Sequence, residues 1–377
     1  MNIIFLCPSL DRTTGWNRYS YDVITRLAKD AHITVFCYTI DESVHSSIQQ
    51  RPILRHPLSY LSHPLWVLLD TWKVRRAIRQ CIRSGENNYV HSTVSAYAVF
   101  FPFLVGLHLR KIMTVHGTYS VLPLQSWKMR WLFLLVYKCV DRVISVSFYT
   151  KKHLLKHAGD ALDASRVYVM TNGVDYEEKP LYQKKADEIF RIITVGGVKN
   201  RKGGHHLVRV AHLLKKKYSF PFTVTFIGTV EKEKPYYQQL TAYIHEHKLD
   251  KEVHFAGMVP QEELDVFYKT AGLFVLLSVH EGGHYEGYPL VFHEAAMWGV
   301  PTIGTYDCGA EDAIKHGETG FLVHPSNHES IADLIATLRN GDVMVSSKVC
   351  RDWARENDWS RKNLMDMYNF SSSFLSE

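Results

Sequence analysis

Two series of short apolar runs, each alternating with helical patterns, constrain the fold of this chain more than any other feature. The first series places strands at Asn2–Cys7, Ile33–Tyr38, Tyr89–Ser92, Ile112–Val115, Val143–Val146 and Val167–Met170, with a helix near Tyr19–Lys29. The second begins at Phe190–Val195 and continues through Phe222–Ile227, Val253–Phe255, Leu273–Leu276 and Thr302–Ile303. Strand–helix alternation predicts a parallel sheet with helices on both faces. Between the series, Thr171-Asn172-Gly173-Val174-Asp175 is a turn signal and Tyr176–Glu188 is polar, which places an inter-domain link there. A length of 377 residues also points to about two domains. The stretch Trp359–Tyr368 fits a helix capped near Ser360.

Composition narrows the class. The six cysteines (7, 37, 81, 139, 308 and 350) are scattered without a CxxC pair and read as reduced thiols in a cytoplasmic protein. Met1–Leu6 reads as a first strand rather than a signal peptide. The longest apolar run, Ala96–Leu109, is broken by Pro102 and His108 and falls short of the roughly 20 residues that span a bilayer. Residues 1–170 hold 21 Lys and Arg against 10 Asp and Glu. So strongly basic a first half attracts anionic partners. No recognition-helix or RNP-type pattern supports nucleic acid among them.

Residues 286 to 294 read Glu-Gly-Tyr-Pro-Leu-Val-Phe-His-Glu. Pro289 has no N–H, so a turn at Gly287 leaves Gly287, Tyr288, Leu290 and Val291 as backbone donors. Leu290–Trp298 fits a helix ending at Gly299, before Pro301. Its start offers amides and a weak positive potential to a diphosphate. Glu286 is placed to accept from sugar hydroxyls, and Glu294, about two turns on, from two ribose hydroxyls. That pattern suits a nucleotide-sugar.

This segment resembles the Glu-x7-Glu signature of the family-four retaining glycosyltransferases of GT-B fold. The resemblance continues through Gly299-Val300-Pro301-Thr302-Ile303-Gly304, Gly309-Ala310-Glu311-Asp312 and Gly317-Glu318-Thr319-Gly320-Phe321-Leu322-Val323. It implies two Rossmann-like parallel-sheet domains facing a central cleft. Residues 1–180 would bind the acceptor and 181–355 the nucleotide-sugar. A C-terminal helix in 356–377 would pack back on the first domain.

The resemblance also gives roles to other residues. Thr14-Gly15-Trp16 follows the first strand, and the Gly15 amide is implied to approach a phosphate, although the family commonly carries two glycines there. Gly196-Gly197-Val198-Lys199-Asn200-Arg201-Lys202-Gly203 resembles the loop that presents a cation to the diphosphate, with Lys202 as the matching lysine. Gly197 stands where the family usually has arginine, which leaves Arg201 or Lys199 as candidate replacements. Thr114-Val115-His116-Gly117 resembles an element whose histidine faces the transferred sugar. Glu286, His116 and Lys202 are therefore the expected catalytic residues. No GxGxxG fingerprint supports a nicotinamide cofactor.

His280-Glu281-Gly282-Gly283-His284 satisfies the HExxH string of zinc proteases. That chemistry needs a helix, and two adjacent glycines cost it roughly 2 kcal/mol. A loop is expected, with no metal and no cofactor. A second pattern mixes basic and aromatic residues. Residues 66–83 set Val67, Val74, Ile78 and Cys81 on one helical face, with Lys73, Arg76, Arg79 and Arg83 largely opposite. Trp127, Trp131 and Leu132–Val136 lie among Lys128, Arg130 and Lys138. Such segments suit an anionic membrane surface.

The expected function is retaining transfer of a sugar from a nucleoside-diphosphate donor, UDP favoured and GDP-mannose the alternative, to a hydroxyl of a lipid-linked envelope glycan. The enzyme would be peripheral on the inner face of the plasma membrane. The rivals are a non-catalytic nucleotide-sugar-binding protein of the same fold and a nucleotide-sugar 2-epimerase.

Overall fold

The computed structural model describes residues 1–180 and 189–370. Residues Met1–Thr171, with the stretch from Asn363 onward, form one compact unit, and Asn172–Lys362 form another. Part of the expected polar link (residues 181–188) and the end of the expected C-terminal segment (371–377) lie outside the described residues.

The first unit holds β1 (Asn2–Cys7), β2 (His32–Cys37), β3 (Gln49–Pro52), β4 (Asn88–Ser92), β5 (Arg110–Val115), β6 (Arg142–Ser145) and β7 (Val167–Val169). They pair in the order β3-β2-β1-β4-β5-β6-β7, all parallel. Its helices are α1 (Gly15–Leu27), α2 (Pro57–Ser62), α3 (Pro64–Cys81), α4 (Thr118–Gln125), α5 (Arg130–Cys139) and α6 (Phe148–Ala158). Ile3, Ile4, Phe5 and Leu6 are all fully buried. That is why β1 reads as a continuous apolar run: helices cover both faces of the sheet. The edge strand β3 has no apolar signal in Gln-Gln-Arg-Pro, so hydrophobic spacing does not announce it. Pro52 is tolerated there because an edge leaves one side of the ladder unpaired.

The second unit repeats the plan with β8 (Phe190–Val195), β9 (Phe222–Ile227), β10 (Val253–Gly257), β11 (Leu273–Val275), β12 (Thr302–Thr305) and β13 (Gly320–Val323) in the parallel order β10-β9-β8-β11-β12-β13. Its helices are α7 (Gly204–Lys217), α8 (Pro235–Glu246), α9 (Gln261–Thr270), α10 (Val291–Met297), α11 (Ala310–Ala313), α12 (His328–Asn340) and α13 (Ser347–Glu356). Ile192, Val224, Leu273, Val275 and Ile303 form the sheet side of its core, and α7 and α12 cover it with Leu207, Leu214, Ile331 and Ile335.

The single helix expected over Trp359–Tyr368 does not form. Two 3₁₀ turns, Trp359–Arg361 and Leu364–Tyr368, take its place. Asp358 accepts from Ser360 N and Asn363 from Met365 N. These side chains offer the backbone a local alternative to helical bonds. The first turn stays in the second unit, where Trp359 N donates to Val174 O and Val174 N to Asn357 O. The second closes the first unit. Tyr368 Oη lies 2.6 Å from His91 Nδ1, His91 Nε2 is 2.9 Å from Thr114 Oγ1, and Tyr19 Oη is 2.9 Å from the same hydroxyl. Burial pushes the His91 imidazole down to about 3, so this buried chain is neutral. Arg142 Nη1 adds a bond to Asp366 O at 2.8 Å.

Gly203 joins the β8 loop to α7 at φ +67°, and a Cβ there would lie 1.6 Å from Leu277 O. Gly203→Ala is expected to lower the stability of the second unit by about 3 kcal/mol or more, because a left-handed backbone and a backbone clash combine. Urea unfolding followed by tryptophan fluorescence checks this.

Candidate functional site

Each sheet reverses its winding direction at one gap, between β1 and β4 in the first unit and between β8 and β11 in the second. Loops leaving the carboxyl ends of strands on either side of such a gap run apart, and a ligand crevice opens between them. In the second unit these are the loops that follow β8 and β11. With the first turns of α10 they carry Gly197, Arg201, Lys202, Glu286, Gly287, Tyr288, Leu290, Val291 and Glu294. A pocket lined by Arg191, Gly272, Pro301 and Met344 opens at the opposite, amino-terminal strand ends and carries none of the expected residues.

Three charges meet across the gap. Lys202 Nζ lies 3.1 Å from Glu286 Oε2, and Arg201 Nη1 pairs with Glu286 Oε1. The turn bearing both cations is tied to the neighbouring loop: Val279 N donates to Arg201 O at 2.9 Å, and Asn200 Nδ2 to Glu281 Oε1 at 2.8 Å. Gly197, at the usual arginine position, leaves room, since an added Cβ would meet Lys199 Cε and Thr229 only at ordinary distances. Arg201 places a guanidinium on Glu286 beside Lys202. Burial, reinforced by repulsion from Arg201 and Lys199, pushes the Lys202 ammonium down to about 7. The Glu286 carboxylate pulls the other way.

Backbone contact fixes Glu286. Gly309 N donates to Glu286 O at 2.8 Å, and a Cβ on Gly309 would come within 1.9 Å of Gly287 O. The Gly-Ala-Glu-Asp segment is thus a brace for the carboxylate loop. Glu294 is held by Tyr268 of α9, whose hydroxyl donates to Glu294 Oε2 at 3.1 Å. Sequence reading missed Tyr268, because it lies 26 residues away on another helix and resembles any core tyrosine. Tyr288 Oη sits 2.6 Å from Nε2 of the fully buried His293, which anchors the turn from inside.

The expected helix Leu290–Trp298 is shorter. Val291–Met297 spans seven residues, with Leu290 and Trp298 as its caps. Two turns carry a small dipole, so positive charge at this site comes chiefly from Lys202 and Arg201. The HExxH string is a tight turn: Glu281 and His284 exchange backbone bonds of 3.0 and 2.8 Å around Gly282 and Gly283, at φ +54° and +84°. That geometry is the two-residue hairpin turn that glycines favour, not a helix.

Gly15 and His116 lie in the first unit, at the carboxyl ends of β1 and β5. Gly15 opens α1, and an added Cβ there would meet nothing within 4 Å, so no packing demands glycine. Asp11, which sequence reading passed over, organises this loop by accepting from Thr13 N, Thr13 Oγ1 and Asn17 Nδ2 at 2.9, 2.6 and 2.7 Å. His116 Nε2 donates to Thr93 O at 2.7 Å, and its ring packs against the edge of Tyr19 at 4.6 Å. Burial lowers the imidazole to about 4. His116 is therefore neutral at pH 7, with Nδ1 unprotonated. Ser147, in the Ser145-Val146-Ser147 segment, caps α6 by accepting from Thr150 N.

Comparison with known proteins agrees with this geometry. Residues 13–178 match the family described as Glycosyltransferase Family 4, and residues 175–357 match Glycosyl transferases group 1. The chain belongs to the family-four glycosyltransferases. It is similar to the lipopolysaccharide outer core galactosyltransferase WaaB in its apo form, with TM-score 0.76 and 17% identity over 98% of each chain. It is also similar to HepE of Anabaena in complex with UDP, with TM-score 0.74 and 17% identity over 97% of each chain. These likenesses establish the GT-B fold. By sequence the chain is 26% identical over 185 residues to the amylovoran biosynthesis glycosyltransferase AmsK of Erwinia amylovora, covering 48% of this chain and 44% of that protein. It is 24% identical over 304 residues to the 2-deoxystreptamine N-acetyl-D-glucosaminyltransferase of Niallia circulans, covering 74% and 75%. The match to AmsK, like that to the colanic acid glycosyltransferase WcaL of Salmonella typhimurium, spans about half of the relative's length.

Burial lowers the Lys202 ammonium to about 7, so its charge declines as pH rises above neutrality. Affinity for a nucleoside diphosphate is therefore expected to fall about tenfold or more between pH 7 and 9. Lys202→Arg should flatten that dependence, because guanidinium stays charged. Titration calorimetry with UDP and GDP at several pH values checks both.

Proposed function

We propose that this protein transfers a hexose or related sugar, with retention, from a nucleoside-diphosphate donor to a hydroxyl of a lipid-linked glycan in cell-envelope polysaccharide synthesis. The observation that carries this reading is the meeting of Lys202, Arg201 and Glu286 across the switch point of the second sheet. Two cations at that gap suit a diphosphate, and two carboxylates on the adjoining turn and helix suit hydroxyls on either side of it.

In the proposed reaction the bond between the anomeric carbon and the diphosphate oxygen breaks, and its electron pair leaves with the diphosphate. The acceptor oxygen bonds to the anomeric carbon on the same face, and its proton passes to the departing phosphate. Stabilising negative charge on the leaving group is the main task. Lys202 and Arg201 do this in the proposal, aided by the amides of Gly15, Gly287, Tyr288, Leu290 and Val291. Glu286 orients the sugar, Glu294 binds the ribose, and neutral His116 offers Nδ1 as an acceptor to a sugar hydroxyl. No metal is assigned a role. Among the described residues no three His, Cys, Asp or Glu side chains come together as a metal cage.

UDP is the favoured donor base, because HepE was solved with UDP. The alternative, GDP-mannose, draws on a Mycobacterium tuberculosis relative described as a GDP-mannose-dependent mannosyltransferase, 27% identical over 209 residues. Although Gly197 stands at the usual arginine position, Arg201 supplies a guanidinium beside Lys202, which supports the enzyme reading over the binding-only one.

A thermal-shift screen of UDP, GDP and their sugars, with and without EDTA, tests the donor; binding to the folded state alone raises Tm. One nucleotide class should stabilise the protein, unaffected by EDTA. Glu294→Ala should weaken donor binding about tenfold to a hundredfold with little change in kcat, from loss of hydrogen bonds to a charged acceptor. Unchanged donor affinity in that variant would refute the ribose role. Donor turnover separates an enzyme from a binding protein.

A further inference from the structure

The helix α3 has two apolar faces where a surface helix has one. Val67, Val74 and Ile78 are its core side, essentially without exposure. This corrects the expectation that they form a membrane face. Leu65, Leu68, Leu69 and Trp72 recur at helical spacing on the opposite side and are 61, 60, 57 and 68% exposed. Further along that same outward stripe stand Arg76 and Arg79, with Lys73 at its margin. The Arg76 guanidinium lies 5.2 Å from the Trp72 ring centroid.

The helix α5, which packs on the same 3₁₀ segment as α3, repeats the pattern. In α5, Leu132, Phe133 and Val136 are buried, whereas Trp131 and Leu135 are exposed and Lys138 follows on their side. Trp127, just before this helix, is 83% exposed beside Lys128. Both helices pack on the 3₁₀ segment Ser95–Leu104. Val105, next in the chain, is also exposed, and Arg75 of α3 bonds its carbonyl oxygen at 2.9 Å. Residues 64–138 contain ten Lys and Arg against Asp70 and Glu86 alone. Asp70 is turned inward and paired with Arg55.

We propose that the outward stripes of α3 and α5 form one docking surface for an anionic lipid bilayer. Exposed leucines and tryptophans supply the apolar contact, and lysines and arginines at their margins meet the phosphates. This combination of a wet apolar face, interfacial tryptophans and unbalanced positive charge matches a monotopic membrane helix. A protein partner covering so basic a face would itself need a strongly acidic surface. No helix among the described residues is long and apolar enough to cross a membrane, so the attachment is to one leaflet. The inference deepens the membrane side of the proposed function and stands without sugar transfer.

The test is co-sedimentation of the full chain with vesicles of phosphatidylcholine alone or with about a third phosphatidylglycerol. Binding is expected only with the anionic lipid and should weaken with salt. A variant with Leu65, Leu68, Leu69 and Trp72 changed to Ser should bind about a hundredfold less. Its Tm and nucleotide-induced Tm shift should be retained, because those side chains are mostly exposed. Lys73→Glu with Arg76→Glu should abolish the preference for anionic lipid. Absence of wild-type binding at low salt, or equal binding by the Ser variant, overturns the proposal. So does a wild-type dimer that the same substitutions dissociate, because the face then belongs to a second copy. Vesicle binding needs no turnover, so failure here is distinct from failure of the transferase reading.

Discussion

The carboxylate of Glu286 held between Lys202 and Arg201 is the interaction around which the second unit is arranged. Two loops leaving different strands must come within ion-pair distance. That requires close backbone approach at several points where a side chain would intrude. Gly203 against Leu277, Gly309 against Gly287 and Gly228 against Gly196 are three such points. The carboxylate offsets the repulsion between two cations in a largely buried place. An arriving diphosphate has to displace or share that pairing, so donor affinity is a difference between two good arrangements of the same charges. The carboxylate also tensions Lys202: burial favours the neutral amine and Glu286 favours the ammonium.

Much of this was legible in the chain because its chemistry is local. The strand runs of the second half appear within a few residues of their expected ends, and Gly197, Arg201, Lys202, Glu286, Gly287, Tyr288, Leu290, Val291 and Glu294 come together at one end of one sheet. Parallel strands buried on both faces have a strong sequence signature, and strand-end loops follow from them. What stayed hidden depends on distant partners. That Arg201, rather than Lys199, would reach Glu286 depends on how two loops pack. Tyr268 beside Glu294 and Tyr368 beside His91 are contacts across 26 and 277 residues, and no period announces them. The outward face of α3 was misjudged for a related reason. A helix with apolar residues on two faces has a legible period on either side, and only packing decides which side is core.

Departures from the regular pattern have local causes too. The Asp358 and Asn363 side chains interrupt what hydrophobic spacing alone would continue as a helix. The edge strand β3 forms from polar residues because pairing with β2, rather than burial of its own side chains, holds it. In both places backbone hydrogen bonding outweighs side-chain hydrophobicity.

Tyr368 and the buried hydrogen-bonded chain behind it make the first unit discontinuous in sequence. Its sheet is synthesised first, yet the side chain that satisfies His91 arrives nearly two hundred residues later. At typical translation rates that delay is roughly ten to forty seconds. The second unit, contiguous from Asn172 to Lys362, has all its parts in place just before. The two units are therefore completed almost together, at Lys362 and Tyr368. The nascent first sheet must wait with a polar group uncovered beneath its fourth strand, a vulnerable interval for a half-made protein.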